Sequence, residues 1–349
     1  MTDGHQSMRR QGISGHDDGA VRLHRRTVRL DGRDYTVLGL RPGTTERFAV
    51  NRFHETWHVV THTAGARLLG RLLWGMAYQR RPNTIVVVDR PFLDANPFDA
   101  EPSLPIVIAP GDTAPFGDRA ARELRRMLPL TGRPSEGGVT LRAHGLPSTP
   151  EAAHAWFDGR HREWHGWKQR RFRPTIEVRS GLLVLPGTAR KLQEWAVEIG
   201  RLTATHQRPM DYEFVNEDYS LEVQVFAAYR DMVTAARLAR EQVVNEPRPI
   251  PAPVPRATPG GDAGRKPGRT VGAERAVAAR ADEQAAREPA PAPHAPPLDP
   301  AELNLLVWER SDRVHRRMRL NRTKRYTRKA SSGRGASSSP SSSPSSSSS

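Results

Sequence analysis

Residues 246–300 hold 13 of the chain's 30 prolines, and this run more than any other feature limits what the polypeptide can fold into. Proline has a fixed φ and no amide proton, so a segment this rich in it can neither continue a helix nor sit inside a sheet. With mostly small and charged residues between the prolines, it cannot bury enough apolar surface to offset the entropy of ordering. The stretch 246–298 is therefore expected to be a disordered Pro/Ala-rich linker. Residues 331–349 are almost entirely serine and are expected to be a disordered tail. Residues 1–25 have no apolar h-region of a signal peptide and are expected to form a disordered arm. What remains is a body at 26–245, long enough for one core, and a short segment, 299–330, beyond the linker.

Within the body the hydrophobic pattern alternates between two periods. "TVRLDGRDYTVL" alternates apolar and polar residues around Asp31-Gly32, a pair that accepts the positive φ of a two-residue turn, so it predicts a β-hairpin. "TIEVRSGLLVL" predicts a second hairpin around Ser180-Gly181. "TIVVVD" and "LPIVIAP" are short continuous runs rich in β-branched residues, the pattern of strands covered on both faces. "GVTLRAH" and "YEFV" read as further strands. Helical spacing is read over 51–81, from Asp118 as a cap to about Leu128, from Thr149-Pro150-Glu151, from Thr188 to about Thr203, and from about Tyr219 to Val244. The expected fold class is α/β, a mixed sheet with at least two β-hairpins flanked by helices.

The segment beyond the linker opens with Asp299-Pro300-Ala301-Glu302, a capping box with proline at the first helical position. Leu303, Val307, Val314 and Met318 then fall near one face, so a basic amphipathic helix over 299–330 is expected, tethered some distance from the body. Ten Arg or Lys residues against three acids lie between Ala301 and Ala330, out of a net charge of +16 for the whole chain. A positive field of this density attracts polyanions. The candidate contacts are Arg316, Arg317, Arg319, Arg322, Lys324 and Arg325. Arginine outnumbers lysine, which stands at five; this is compositional and adds little to a phosphate-recognition argument.

Two other stretches carry candidate chemistry. "AWFDGRHREWHGWKQRRFRP" interleaves aromatics with bases, a composition suited to stacking unpaired bases while neutralising phosphates; Trp164, Trp167, Arg170, Arg171 and Arg173 are its candidates. The bland alternative is an amphipathic helix with solvated arginines. Asp89 ends "TIVVVD", with Asp94, Asp99 and Asp112 in the loops that follow. Acids at strand ends in α/β proteins hold Mg²⁺ or act as catalytic carboxylates, and they also serve as turn residues.

His54-Glu55-Thr56-Trp57-His58 has the His-Glu-x-x-His spelling. On a helix, with about 100° per residue, His54 and His58 share a face and could ligate one metal ion, with Glu55 beside them as general base. The motif resembles the zincin metalloproteases in those five residues and no further. The resemblance implies zinc held by His54 and His58, Glu55 as the catalytic residue, and a distant carboxylate such as Glu101 or Glu123 as third ligand; the sixth residue after His58 is Ala64, not the histidine of the metzincin form. Against this stands a packed helix whose core stripe is Trp57, Ala64, Leu68, Leu72 and Met76, with the histidines flanking it. The packed helix is favoured, so no cofactor is expected, and zinc is the metal the alternative would use.

The chain has no cysteine, which excludes disulfides, thiolate metal sites and cysteine nucleophiles. No run of about 18 apolar residues occurs, so a cytoplasmic protein without a transmembrane segment is expected. The expected function is a nucleic-acid-associated accessory or binding protein, its basic C-terminal helix giving salt-dependent, largely non-specific affinity. The alternatives are a zinc-dependent hydrolase using His54, Glu55 and His58, and a protein–protein scaffold.

Overall fold

A computed structural model describes residues 19–163, 175–215, 219–246 and 298–333. Eleven strands among them form two sheets. The larger comprises β1 (Ala20–Leu30), β2 (Arg33–Leu40), β5 (Thr84–Val88), β6 (Ile106–Pro110), β7 (Gly138–Arg142), β8 (Glu177–Arg179) and β9 (Leu182–Gly187), in the order β7-β1-β2-β5-β6-β9-β8. The smaller comprises β3 (Ala49–Phe53), β4 (Thr56–Thr61), β10 (Met210–Phe214) and β11 (Leu221–Phe226), in the order β10-β11-β4-β3. Both are mixed: β2 and β5, β6 and β9, and β4 and β11 run parallel, while the other neighbours are antiparallel. A mixed α/β fold with hairpins and flanking helices is what the pattern predicts, and its strands are shared between two mixed sheets.

The two anticipated hairpins form where their turn residues place them. Asp31 and Gly32 take φ of 47° and 72°, and Ser180 and Gly181 take 50° and 76°. β1 begins at Ala20, so residues 20–25, expected to belong to a disordered arm, are strand paired with β7 and β2, well before the Thr27 at which the alternation becomes visible. The buried runs behave as strands with two covered faces. In β5, Val86 and Val88 enter one core while Ile85 and Val87 enter another, and β6 divides likewise between Ile106 and Ile108 and Val107 and Ala109.

The helices are α1 (Thr63–Ala77), α2 (Asp118–Met127), α3 (Pro150–Glu163), α4 (Ala189–Gly200), α5 (Tyr229–Asn245) and α6 (Pro300–Gly333). α1 and α4 lie between the two sheets. The main core joins Leu69, Leu72 and Leu73 of α1 and Trp195 of α4 to Leu183 and Leu185 of the large sheet and to Val59 and Val223 of the small one. These helices approach closely because Gly70 has no side chain: a Cβ there would sit 2.9 Å from Ala196 O and 3.0 Å from Gly200 Cα. α2 covers the opposite face of the large sheet through Ala120, Ala121 and Leu124, and α5 covers the opposite face of the small sheet through Tyr229 and Val233.

Three helix boundaries differ from expectation. The helix expected over 51–81 starts at Thr63, and the residues before it form the β3–β4 hairpin. The helix expected from Tyr219 starts at Tyr229, after the strand β11. The N-cap of α2 is Gly117, and Asp118 is its first residue. Thr188 caps α4 by accepting from the Lys191 amide at 3.3 Å, and Thr149 Oγ1 accepts from the Ala152 amide at 3.2 Å, both as the sequence predicts. No described helix is long and apolar enough to cross a membrane.

Candidate functional site

The His-Glu-x-x-His stretch does not form one turn of helix. Asn51 lies opposite His58 and Phe53 opposite Thr56 in the β3–β4 ladder, so His54 and Glu55 are the two residues of the turn, with φ of 45° and 68°. Two successive positive φ values match the twist of a hairpin. For residues with a Cβ they cost roughly 1–2 kcal/mol each. At the tip Glu55 forms an ion pair with Arg52, whose guanidinium lies 5.6 Å above the Trp57 ring. The His54 ring packs edge-on against Phe53, with centroids 4.0 Å apart.

His58 is buried, with Nε2 3.2 Å from Glu222 Oε2 on the adjacent strand β11. Burial lowers its pKa, against an upward pull from the Glu222 carboxylate. The shared helical face on which zinc coordination by His54 and His58 depended is therefore absent. Glu101 accepts from Asn304 Nδ2 at 2.7 Å, and Glu123 accepts from the Asp31 amide at 2.7 Å. Among the described residues no three His, Asp or Glu side chains are placed to hold a metal ion.

The basic helix α6 is docked at its first turns, a correction to the expectation of an arm held away from the body. Val307 is fully buried with Ala239 and Val243 of α5, and Leu298 and Leu303 pack beside them. Asn304 bridges Glu101 and Arg240, Arg310 pairs with Glu246 at 2.6 Å, and Ser311 Oγ reaches Phe98 O at 3.4 Å. From Asp312 to Asn321 the helix is mostly exposed, and the sequence beyond Ser311 is strongly basic. Arg316, Arg317, Arg319 and Lys324 are exposed there, and Arg316 forms an i,i+4 pair with Asp312. Arg322 and Arg325 belong to the same helix. Trp164, Trp167, Arg170, Arg171 and Arg173 lie outside the described residues.

Of the four aspartates singled out in the sequence, Asp94 is 3.6 Å from Arg237, Asp99 accepts from Asn96 Nδ2 and the Glu101 amide, and Asp112 accepts from the Ala189 amide at 3.4 Å. They are turn and cap residues that do not converge. Asp89 is different. It is 2 % exposed, and its Oδ2 accepts from the Leu130 amide at 2.6 Å. Burial raises its pKa; the Leu130 hydrogen bond and the Arg26 guanidinium oppose that rise.

Arg26 is 7 % exposed and donates from Nε and Nη2 to Arg133 O at 3.4 and 3.2 Å. Together Asp89 and Arg26 pin a 3₁₀ turn, Leu130–Gly132, across the end of the large sheet. They open onto a cavity of about 170 Å³ that also reaches His24, Gly39, Thr131 and Ser135. Strand alternation brings this about: on β1 the face that carries Leu30 into the α2 core carries Arg26 and His24 at its other end. Sequence reasoning missed Arg26 and His24. The available signal was a buried strand face that changes from apolar to basic opposite Gly39, which pairs with His24.

No protein-family model, curated protein or solved structure matches this chain.

Proposed function

We propose that the protein binds nucleic acid through the distal part of α6. The observation that carries this reading is the contrast along one helix. Its first turns are fixed to the body, whereas residues 312–329 carry nine Arg or Lys residues against Asp312. Such an array displaces condensed counterions from a phosphate backbone, and the entropy of their release drives association without regard to sequence. Arg316, Arg317, Arg319, Arg322, Lys324 and Arg325 supply the phosphate contacts. The Trp-rich segment, with Trp164, Trp167, Arg170, Arg171 and Arg173, adds stacking on unpaired bases. A cytoplasmic location suits this role.

The test is a gel-shift titration over a range of salt, comparing the full chain with a truncation after Ser311. This truncation keeps Val307 in its socket, so the body stays covered. The full chain should show log affinity falling linearly with log salt, with a slope of roughly −0.9 per phosphate neutralised. The truncated chain should bind far more weakly, with a shallower slope. Equal binding by the two chains, or binding that ignores salt, would overturn the proposal.

A further inference from the structure

The cavity at the end of the large sheet has a chemistry that polyanion binding by α6 does not use. Buried arginines are expensive to keep and are held in place by several hydrogen bonds. Here Arg26 spends Nε and Nη2 on one carbonyl, Arg133 O. Its Nη1 takes no part in those bonds and lies over Gly39, where a Cβ would come within 3.5 Å of it. Gly39 thus leaves open the floor beside a fixed guanidinium nitrogen.

The rest of the lining adds donors around that point. Arg133 donates through Nε to Met127 O, which orients its guanidinium. Thr131 contributes a hydroxyl, whereas the Ser135 hydroxyl already donates to Gly137 O at 2.9 Å. The local potential is positive in spite of Asp89. The pKa of His24 is lowered first by burial and then by Arg26 and Arg41, so two guanidinium groups act on this ring. Asp89, engaged by the Leu130 amide, offsets one charge and leaves the pocket cationic.

From this arrangement we infer that the cavity is a binding site for a small oxyanion, a phosphoryl group, received by Arg26 Nη1 with Arg133 and Thr131 around it. The size supports one such group. A cavity on the order of 150 Å³ takes a guest the size of benzene, whereas whole drug-sized ligands need roughly 300 Å³ or more. A free phosphate and the terminal phosphate of a short oligonucleotide present the same group, while a complete nucleotide is too large to be enclosed. The inference does not depend on nucleic-acid binding by α6.

The test is calorimetric titration of the full chain with inorganic phosphate in chloride buffer, repeated with Gly39→Ala, Arg26→Gln and the truncation after Ser311. Saturable binding is expected for the full chain and, unchanged, for the truncated chain. Gly39→Ala places a methyl beside Arg26 Nη1 without removing the Arg26 and Asp89 staples, and should weaken binding about tenfold by holding the anion off that nitrogen. Arg26→Gln should abolish it; because this change also loosens the 3₁₀ turn, Gly39→Ala is the deciding variant. Competition by 5′-phosphorylated but not 5′-hydroxyl dinucleotide would place the group on a nucleic-acid end. Failure of both to compete would leave free phosphate as the ligand. Absence of saturable heat, equal binding by Gly39→Ala, or loss of binding on truncation after Ser311 each overturns the inference; the last would assign the heat to the α6 charge array.

Discussion

His58 Nε2 and Glu222 Oε2 face one another at 3.2 Å across the parallel strands β4 and β11, both side chains nearly removed from solvent. The carboxylate lies 164 positions further along the chain, and only the β4–β11 pairing brings it to the imidazole.

That pair sets a pH dependence. Burial holds the His58 pKa below its ordinary 6.5 even with the carboxylate beside it, and His24 and His62 shift the same way. A histidine whose pKa is lowered by folding takes up protons more readily when unfolded, so stability rises with pH through the window below 6.5 and levels off above it. Urea midpoints measured from pH 5 to 8 should show this rise. His58→Gln should reduce the slope and cost about 1–3 kcal/mol at pH 8, the range for a hydrogen bond to a buried carboxylate. An unchanged slope in His58→Gln would mean that His58 does not titrate as described.

Glu198 has the opposite sign. Burial first, then Glu213 and Glu194, push its pKa up to about 8. A carboxyl raised in this way favours the folded state while protonated, and that advantage is lost as pH climbs from its unfolded value of 4.5 towards 8. Glu198→Gln keeps the shape and removes the charge. The variant should match the parent at pH 4.5 and exceed it at pH 9, by an amount on the order of a few kcal/mol. A variant no more stable than the parent at pH 9 counts against a buried, crowded carboxyl.

At the β3–β4 turn the replacement of His54-Glu55 by Asn-Gly puts the preferred residues where positive φ is required. Relief of two strained positions should stabilise the protein by about 1 kcal/mol or more. The same double change removes the first histidine and the glutamate of the zincin-like spelling, so retained zinc in the parent and lost zinc in the variant would revive the metal reading. Thermal unfolding with metal analysis of both proteins decides between them.

Val307 is the anchor of α6. Val307→Asp places a charge in the socket formed by Ala239 and Val243, an environment that penalises an unpaired carboxylate by several kcal/mol. Limited proteolysis should then cut near Leu303, where the parent resists. Equal protection in parent and variant would show that the polar contacts of Asn304 and Arg310 suffice to hold the helix.

Where local chemistry fixed the conformation, the sequence was readable. Asp31-Gly32 and Ser180-Gly181 announce their turns because glycine tolerates positive φ, and the runs at Thr84–Val88 and Ile106–Pro110 announce strands buried on both faces. His54-Glu55 carries no such mark: neither residue favours the conformation it adopts, and the apolar spacing around it fits a helix that in fact begins at Thr63. β11 shows period-two alternation in Leu221, Val223 and Val225, but only Ala227-Ala228 separates it from α5, with no proline or glycine to mark a break. The division into two sheets was hidden because the β4–β11 pairing joins distant parts of the chain. The Asp89 cavity was half visible, since an acid ending a strand is a recognisable signal; Arg26 could be placed beside it only once β1 was known to border β2.

The docking of α6 changes what its charges can do. Twenty-two residues, Asp312 to Gly333, extend the helix past its socket, a strut of about 33 Å at 1.5 Å per residue. Charges strung on a loose cord would each adapt to whatever they met. Mounted on a strut with a fixed foot, they keep their intervals and their bearing, so the body arrives at a set stand-off and angle wherever the far end makes contact.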